Sequence, residues 1–195
     1  MKSFENIAAE MKRHGMNLPP PRLNITVPNA GEVLRNALSY FLSLEGRQAM
    51  WLTEYNHIAQ WLTDNRGRGL LMSGNCGRGK SIMGRIVLPA ILLKYCRKVV
   101  SVFDIQEMNR NIDLVLEKPI ISLDDIGTEE MSIKYGEKRL AFAEIMDAAE
   151  KKGKLLIVST NLTGREIAER YGDRTVDRIH STMEQVLFNG KSLRQ

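Results

Sequence analysis

Eight consecutive residues restrict this chain more than any others. Gly74-Asn75-Cys76-Gly77-Arg78-Gly79-Lys80-Ser81 fits the pattern G-x-x-x-x-G-K-[ST]. Glycines at both ends and at Gly77 let the backbone curl, so that successive N–H groups point inward at phosphate oxygens. A helix starting near Lys80 adds the positive end of its dipole. In such a loop the Lys80 ammonium reaches the β- and γ-phosphates, and the Ser81 hydroxyl is placed to ligate Mg²⁺. Gly74 through Ser81 are therefore the candidate ATP-binding residues, with Ser81 also a candidate metal ligand.

The flanks have the order that such a loop requires. Gly69 to Ser73 is a short apolar run that reads as a buried strand, and Ser81 to Tyr95 is helical in pattern, with a kink expected at Pro89. Further along, Pro119-Ile120-Ile121-Ser122-Leu123 runs into Asp124-Asp125, 44 positions after Lys80. An apolar strand ending in two acids is the Walker B pattern. It makes Asp124 the candidate Mg²⁺ ligand and Asp125 the residue that orients or deprotonates an attacking water. Asn161, at the tip of the strand Leu155–Ser159, is placed to hold that water, although a turn residue often ends a strand in the same way.

The rest of the pattern alternates strands and helices. Strands are expected at Lys98–Phe103 and Gln185–Phe188, and helices at Ile105–Glu117, at 136–152 and at Thr163–Tyr171. Asp104 is the expected cap of the first, and Thr163 with Glu166 forms a capping box on the last. Such alternation implies an α/β fold, a parallel sheet with helices on both faces. Ahead of it, an amphipathic helix is expected within residues 1–22, followed by Pro19-Pro20-Pro21, then helices at Glu32–Leu44 and within Gly46–Asp64. In the last of these Trp51, Tyr55, Ile58 and Leu62 are helically spaced and read as core.

Composition narrows the function classes. With 195 residues, 43% hydrophobic and 26% charged, the chain has the make-up of one globular domain with a short appendage. No apolar run has the length of a membrane span, and no secretory leader pattern opens the sequence, so a cytoplasmic location is expected. Cys76 and Cys96 match no metal or disulfide pattern, and the three histidines are scattered. The net charge of +5 permits a polyanionic partner, and nine basic against five acidic residues lie from Lys151 onward. Within that region Arg165, Arg170, Arg174 and Arg178 alternate with acids, so surface ion pairing competes with a role at a phosphate.

Taken with Asp124-Asp125-Ile126-Gly127, Ser159-Thr160-Asn161-Leu162 and the run Gly172-Asp173-Arg174-Thr175-Val176-Asp177-Arg178-Ile179, the chain over residues 46–195 resembles the AAA+ ATPases of the DnaC/DnaI helicase-loader and IstB transposition-helper group. The final Gly190-Lys191-Ser192-Leu193-Arg194 resembles that group's C-terminus. The resemblance implies a P-loop NTPase with a three-layer αβα core and little or no C-terminal lid. Arg174 would be an arginine finger acting in trans, Asn161 the sensor 1 residue, and Arg178 a cofactor-binding support at the same interface, with Arg194 a weak sensor 2 candidate. The implied activity is ATP hydrolysis with Mg²⁺, slow and stimulated by assembly, since Asp125 stands where glutamate is frequent. Implied partners are a DnaB-type replicative helicase, single-stranded DNA and further copies of the chain joined through ATP-bridged interfaces. A transposition helper on duplex DNA and a nucleotide-switched adaptor with negligible turnover are the alternatives. Residues 1–45 carry no motif and are expected to be a partner-docking region.

Overall fold

A computed structural model of the chain describes residues 3–128, 132–134 and 137–193. Its main sheet contains β1 (Gly69–Gly74), β2 (Ser101–Asp104), β3 (Ile120–Ile126), β6 (Leu155–Thr160) and β7 (Met183–Phe188), all parallel, in the order β2-β3-β6-β1-β7. The strands alternate their side chains between two cores, as period-2 geometry requires. Leu70 and Met72 of β1, Ile120 of β3 and Ile157 of β6 face one core, while Leu71, Ile121 and Val158 face the other. The three-layer αβα arrangement is therefore built from continuous apolar strands buried on both faces.

One layer consists of α2 (Ala30–Leu44), α3 (Thr53–Thr63) and the helix that follows the glycine loop. In α2 Leu34, Leu38 and Leu42 recur every fourth residue and are buried. Upstream, Ile25 and Val27 are buried as well, and the Ile25 N–H donates to Oδ1 of the buried Asn65 at 2.7 Å. The packed body thus reaches back well before residue 46. By contrast α1 (Phe4–Arg13), capped by Ser3, buries no residue. It is shorter than the 22 residues allotted from the pattern because Gly15 adopts φ +71° directly beyond it.

Pro89 acts differently from the expected kink. The helix after the loop runs as α4 (Lys80–Ile82), a π-helical turn at Met83–Val87, and α5 (Leu88–Cys96). Proline has no N–H to give to the preceding turn. The chain widens there, and the Leu88 N–H reaches the Met83 carbonyl, five residues back. The Gly84 carbonyl in this turn accepts from the Ser122 hydroxyl of β3 at 2.8 Å. Glycine eases this approach, since a Cβ at position 84 would lie 3.3 Å from Ser122 Oγ.

The opposite layer contains α6 (Ile105–Arg110), α7 (Ile112–Glu117), α8 (Ala141–Lys152), α9 (Gly164–Tyr171) and α10 (Asp173–Thr182). Both expected caps form, with Asp104 on α6 and Thr163 on α9 in reciprocal capping boxes. The helix expected across 105–117 divides at Asn111, whose φ of −128° leaves the helical region. Helix α8 starts at Ala141 rather than near 136, because its apolar face begins only with Ala141 and Phe142. Residues 137–139 instead form β5 (Glu137–Arg139), antiparallel to β4 (Ser132–Lys134). Position 136 itself lies outside the described residues. Strand β2 starts three residues late because Arg97, in the left-handed region, caps α5 and the Lys98 N–H still bonds back to Leu92. The segment expected as helix from Gly46 becomes helical only at Thr53, and Arg47, Gln48 and Met50 line a cleft. Among the described residues no helix is long and apolar enough to cross a membrane, and none follows β7.

Candidate functional site

The strand order decides which side chains meet. β6 lies between β1, which leads into the glycine loop, and β3, which ends in Asp124-Asp125. Asn161 at the end of β6 is thereby placed between the two. Its Oδ1 accepts a hydrogen bond from Lys80 Nζ at 2.9 Å, and its Nδ2 donates to Asp125 Oδ1 at 2.7 Å. Lysine, amide and carboxylate form one continuous chain across the C-terminal ends of three parallel strands. That edge is where open α/β sheets place ligands.

The glycine loop has the required curvature. Gly74, Gly77 and Gly79 take φ of +114°, +74° and +87°. At Gly77 a Cβ would lie 2.0 Å from Ser192 Oγ, and at Gly79 one would lie 2.5 Å from the Tyr55 hydroxyl, so neither position admits a side chain. Lys80 is buried, and its ammonium also donates to the carbonyls of Gly74 and Asn75, each at 2.7 Å. The cation is thus held over the loop's own concavity.

Asp124 and Asp125 are neighbours with different environments. Asp124 is buried, and its Oδ1 accepts from the Ser159 hydroxyl at 2.5 Å. Its other oxygen faces Arg85 Nη1 at 3.5 Å. The β3–β6 register shifts between Leu123 and Ile126, and Asp125 sits in this bulge with φ +59°. For a non-glycine residue the left-handed region costs about 1 kcal/mol or more. Two contacts offset that cost. The Asp125 N–H donates to Ser159 Oγ at 2.8 Å, and its carboxylate takes the Asn161 amide. Bulges commonly re-aim a side chain at a site, and this one sends consecutive acids to two different partners.

Asp125, unlike the buried Asp124, is among the residues that line a cleft of about 1190 Å³. Cys76, Gly77, Gly79, Lys80 and Ser81 line it together with Asp125, Ser159 and Asn161, while Leu38, Leu42 and Tyr55 add apolar wall. The donor set suits a nucleotide triphosphate with Mg²⁺. Ser81 offers a hydroxyl, Asp124 a buried carboxylate, and the glycine loop a cradle that a Cβ would fill. Among the described residues no cluster of three His, Cys, Asp or Glu could hold a metal alone. Mg²⁺ bound through one or two protein oxygens, water and phosphate does not require one.

Two predicted nucleotide contacts have other commitments. The Arg78 side chain is buried and pairs with Glu54, with Nε–Oε1 at 2.8 Å and Nη2–Oε1 at 2.6 Å, and its Nη1 donates to the Lys191 carbonyl at 3.0 Å. Only its backbone is left for phosphate. Arg178 lies on α10 against α8, paired with Asp147 and with Glu150. It is not among the residues that line the cleft. Asn75 uses its side-chain amide on the Gly190 carbonyl at 2.9 Å, which keeps its backbone in the loop. Arg174 is exposed and borders a separate groove of about 450 Å³ with Asp147, Lys151 and Arg178. Arg194 lies outside the described residues.

Several contributors carried weaker sequence signals. Ser159 and Asn161 are two apart on one strand and so share a face, a period-2 relation that links both to the acid pair. Tyr55, read as core, donates its hydroxyl to the Arg78 carbonyl at 3.1 Å and supports the loop from below. Burial, and then the nearby Glu54 charge, push its pKa to about 12, so this donor persists across the working pH range. Arg85 had no motif to announce it.

No protein-family model matches the chain, and no curated protein matches it either. Likeness is found among solved structures. The crystal structure of the DnaC helicase loader is similar with a TM-score of 0.59 at 18% identity, over 72% of this chain and 93% of that one. AMPPCP-bound DnaA from Aquifex aeolicus is similar with a TM-score of 0.50 at 14% identity, over 80% of this chain and 53% of that one. The crystal structure of DnaI has a TM-score of 0.49 at 18% identity, over 65% and 73% of the two chains. At these identities the likeness is one of fold. The chain has an α/β P-loop fold similar to that of the DnaC helicase loader.

Proposed function

We propose that this chain is a Mg²⁺-dependent ATPase of DNA replication that loads a DnaB-type replicative helicase, assembling through ATP-bridged interfaces and holding single-stranded DNA. The observation that carries this reading is the hydrogen-bonded chain Lys80–Asn161–Asp125 on the strand ends, combined with an Arg174 that borders a different groove. One subunit supplies a phosphate cradle and a base, and a neighbour's Arg174 supplies the remaining positive charge at the γ-phosphate.

In this scheme the loop N–H groups from Gly74 to Ser81 bind the phosphates, and Lys80 exchanges its two carbonyl contacts for phosphate oxygens. Ser81 and Asp124 would hold Mg²⁺, which would supply charge neutralisation at the phosphates. Asp125 orients the attacking water and takes its proton, and Asn161 keeps that carboxylate aimed. A shared amide between cation and base makes hydrolysis responsive to γ-phosphate, since drawing Lys80 toward phosphate loosens one side of Asn161.

The likeness to a helicase loader supports the biological role through fold alone, and the net charge of +5 suits a nucleic-acid partner. Within residues 1–45 the docking element is α1, which carries Phe4 and Ile7 exposed and buries no residue. Light scattering of the protein with ATP and Mg²⁺, with and without its host's replicative helicase, tests the reading. A nucleotide-dependent complex is expected. Self-assembly on duplex DNA with no helicase complex would transfer the reading to a transposition helper, and neither assembly would leave a nucleotide-switched adaptor.

A further inference from the structure

Asp124 is a buried carboxylate whose counter-charge comes from an unexpected place. Its side chain is 10% exposed, and one oxygen is already taken by Ser159. Lys80 of the glycine loop donates to Asn161 and the loop carbonyls. The second oxygen, Oδ2, faces Arg85, 49% exposed, at 3.5 Å. Arg85 reaches it from the π-helical turn that Pro89 forces, and the Ser122–Gly84 bond fastens that turn to the same strand, β3. Arg85 also lines the cleft beside Ser81.

A buried carboxylate without a partner is costly, so some cation must face Oδ2. If Asp124 is the metal ligand, a reading that rests on the proposed Mg²⁺–ATP site, then Mg²⁺ and the Arg85 guanidinium require the same oxygen. We propose that Arg85 is a positioning residue that holds Asp124 until Mg²⁺ replaces it, and so sets the Mg²⁺ concentration at which nucleotide is retained. The guanidinium is half in solvent and attached by a flexible stem, so it leaves without moving the helix.

The test is a titration of Mg²⁺ at fixed methylanthraniloyl-ATP, read by nucleotide fluorescence, for the unaltered protein, Arg85→Gln and Arg85→Lys. Arg85→Gln is expected to lower the half-saturating Mg²⁺ concentration by about fivefold, the scale of one partly exposed ion pair. Arg85→Lys, which keeps the cation, is expected to stay near the unaltered curve. Thermal melts without nucleotide add a second readout, in which Mg²⁺ raises the midpoint of Arg85→Gln more than that of the unaltered protein. Superimposable Mg²⁺ curves for the unaltered and Arg85→Gln proteins overturn the inference while leaving the ATP site standing, and so does a lysine variant shifted as far as the glutamine one. Failure of all three to bind the nucleotide overturns the ATP-site reading and this inference together.

Discussion

Lys80 and Asp125 are joined through a single side chain, with Asn161 accepting from the lysine at 2.9 Å and donating to the aspartate at 2.7 Å. In the proposed mechanism this couples the phosphate-binding cation to the base. Asn161→Ala removes both bonds and leaves the glycine loop untouched. Its expected effect is a fall in ATP turnover of about 10²-fold with nucleotide affinity little changed, the scale seen when one preorganised polar group is lost. Asn161→Asp keeps an acceptor for Lys80 but sets two carboxylates against each other, so its turnover is expected to be no better than that of the alanine variant. Steady-state turnover beside fluorescent-nucleotide binding separates the two effects.

Ser159 is expected to matter for folding as well as for the site. Its hydroxyl donates to Asp124 and accepts from the Asp125 N–H. Ser159→Ala leaves both groups short of a partner, which costs about 1–3 kcal/mol for a buried polar group. A lower urea midpoint with an unchanged slope is expected. An unchanged midpoint would mean that the bulge at Asp125 holds without it.

Arg78 should behave as a structural residue despite standing inside the glycine loop. Arg78→Ala strands the buried Glu54 carboxylate, and breaking such a pair costs about 3–5 kcal/mol. Replacing the pair together, Arg78→Leu with Glu54→Met, is expected to recover much of that stability and to retain nucleotide binding. Loss of binding in a stably folded double variant would show that the guanidinium contacts phosphate.

Acid should loosen the contact between α8 and α10. Hydrogen bonding from Lys151, together with the Arg178, Lys151 and Arg174 charges, lowers the Asp147 pKa from its ordinary 3.8 against a smaller desolvation effect. A depressed carboxylate contributes stability that is complete above pH 3.8 and is lost as the pH falls through the lowered value. Urea midpoints taken between pH 6 and pH 3 should therefore fall less steeply for Asp147→Asn than for the unaltered protein. Equal slopes would remove Asp147 from the acid response.

Much of the core was legible because its signals are local. The strand entering Gly74, the strand ending at Asp124 and the caps at Asp104 and Thr163 depend on neighbours within a few residues. The strand order could not be read that way, yet it is what brings Asn161 between Lys80 and Asp125. The side-chain partners of Arg78 and Arg178 were hidden for a related reason. A motif position fixes where a backbone goes, whereas Glu54 and Asp147, distant in sequence, decide what the guanidinium does. The helix break at Pro89 was visible, but the bond that fastens the π turn to β3 comes from Ser122, 38 residues beyond Gly84.

The most direct measurement is ATP turnover in mixtures of two inactive variants. Asp125→Asn lacks the base but carries Arg174, and Arg174→Ala lacks the finger but keeps Asp125. Each alone should be nearly inactive, and Arg174→Ala should bind nucleotide normally as a monomer. If Arg174 completes a neighbour's site, the mixture regains a substantial fraction of turnover, because Asp125→Asn subunits serve the intact sites of their partners. Turnover that stays at the level of the separate variants across all mixing ratios, under conditions where assembly is seen, would contradict a shared active site.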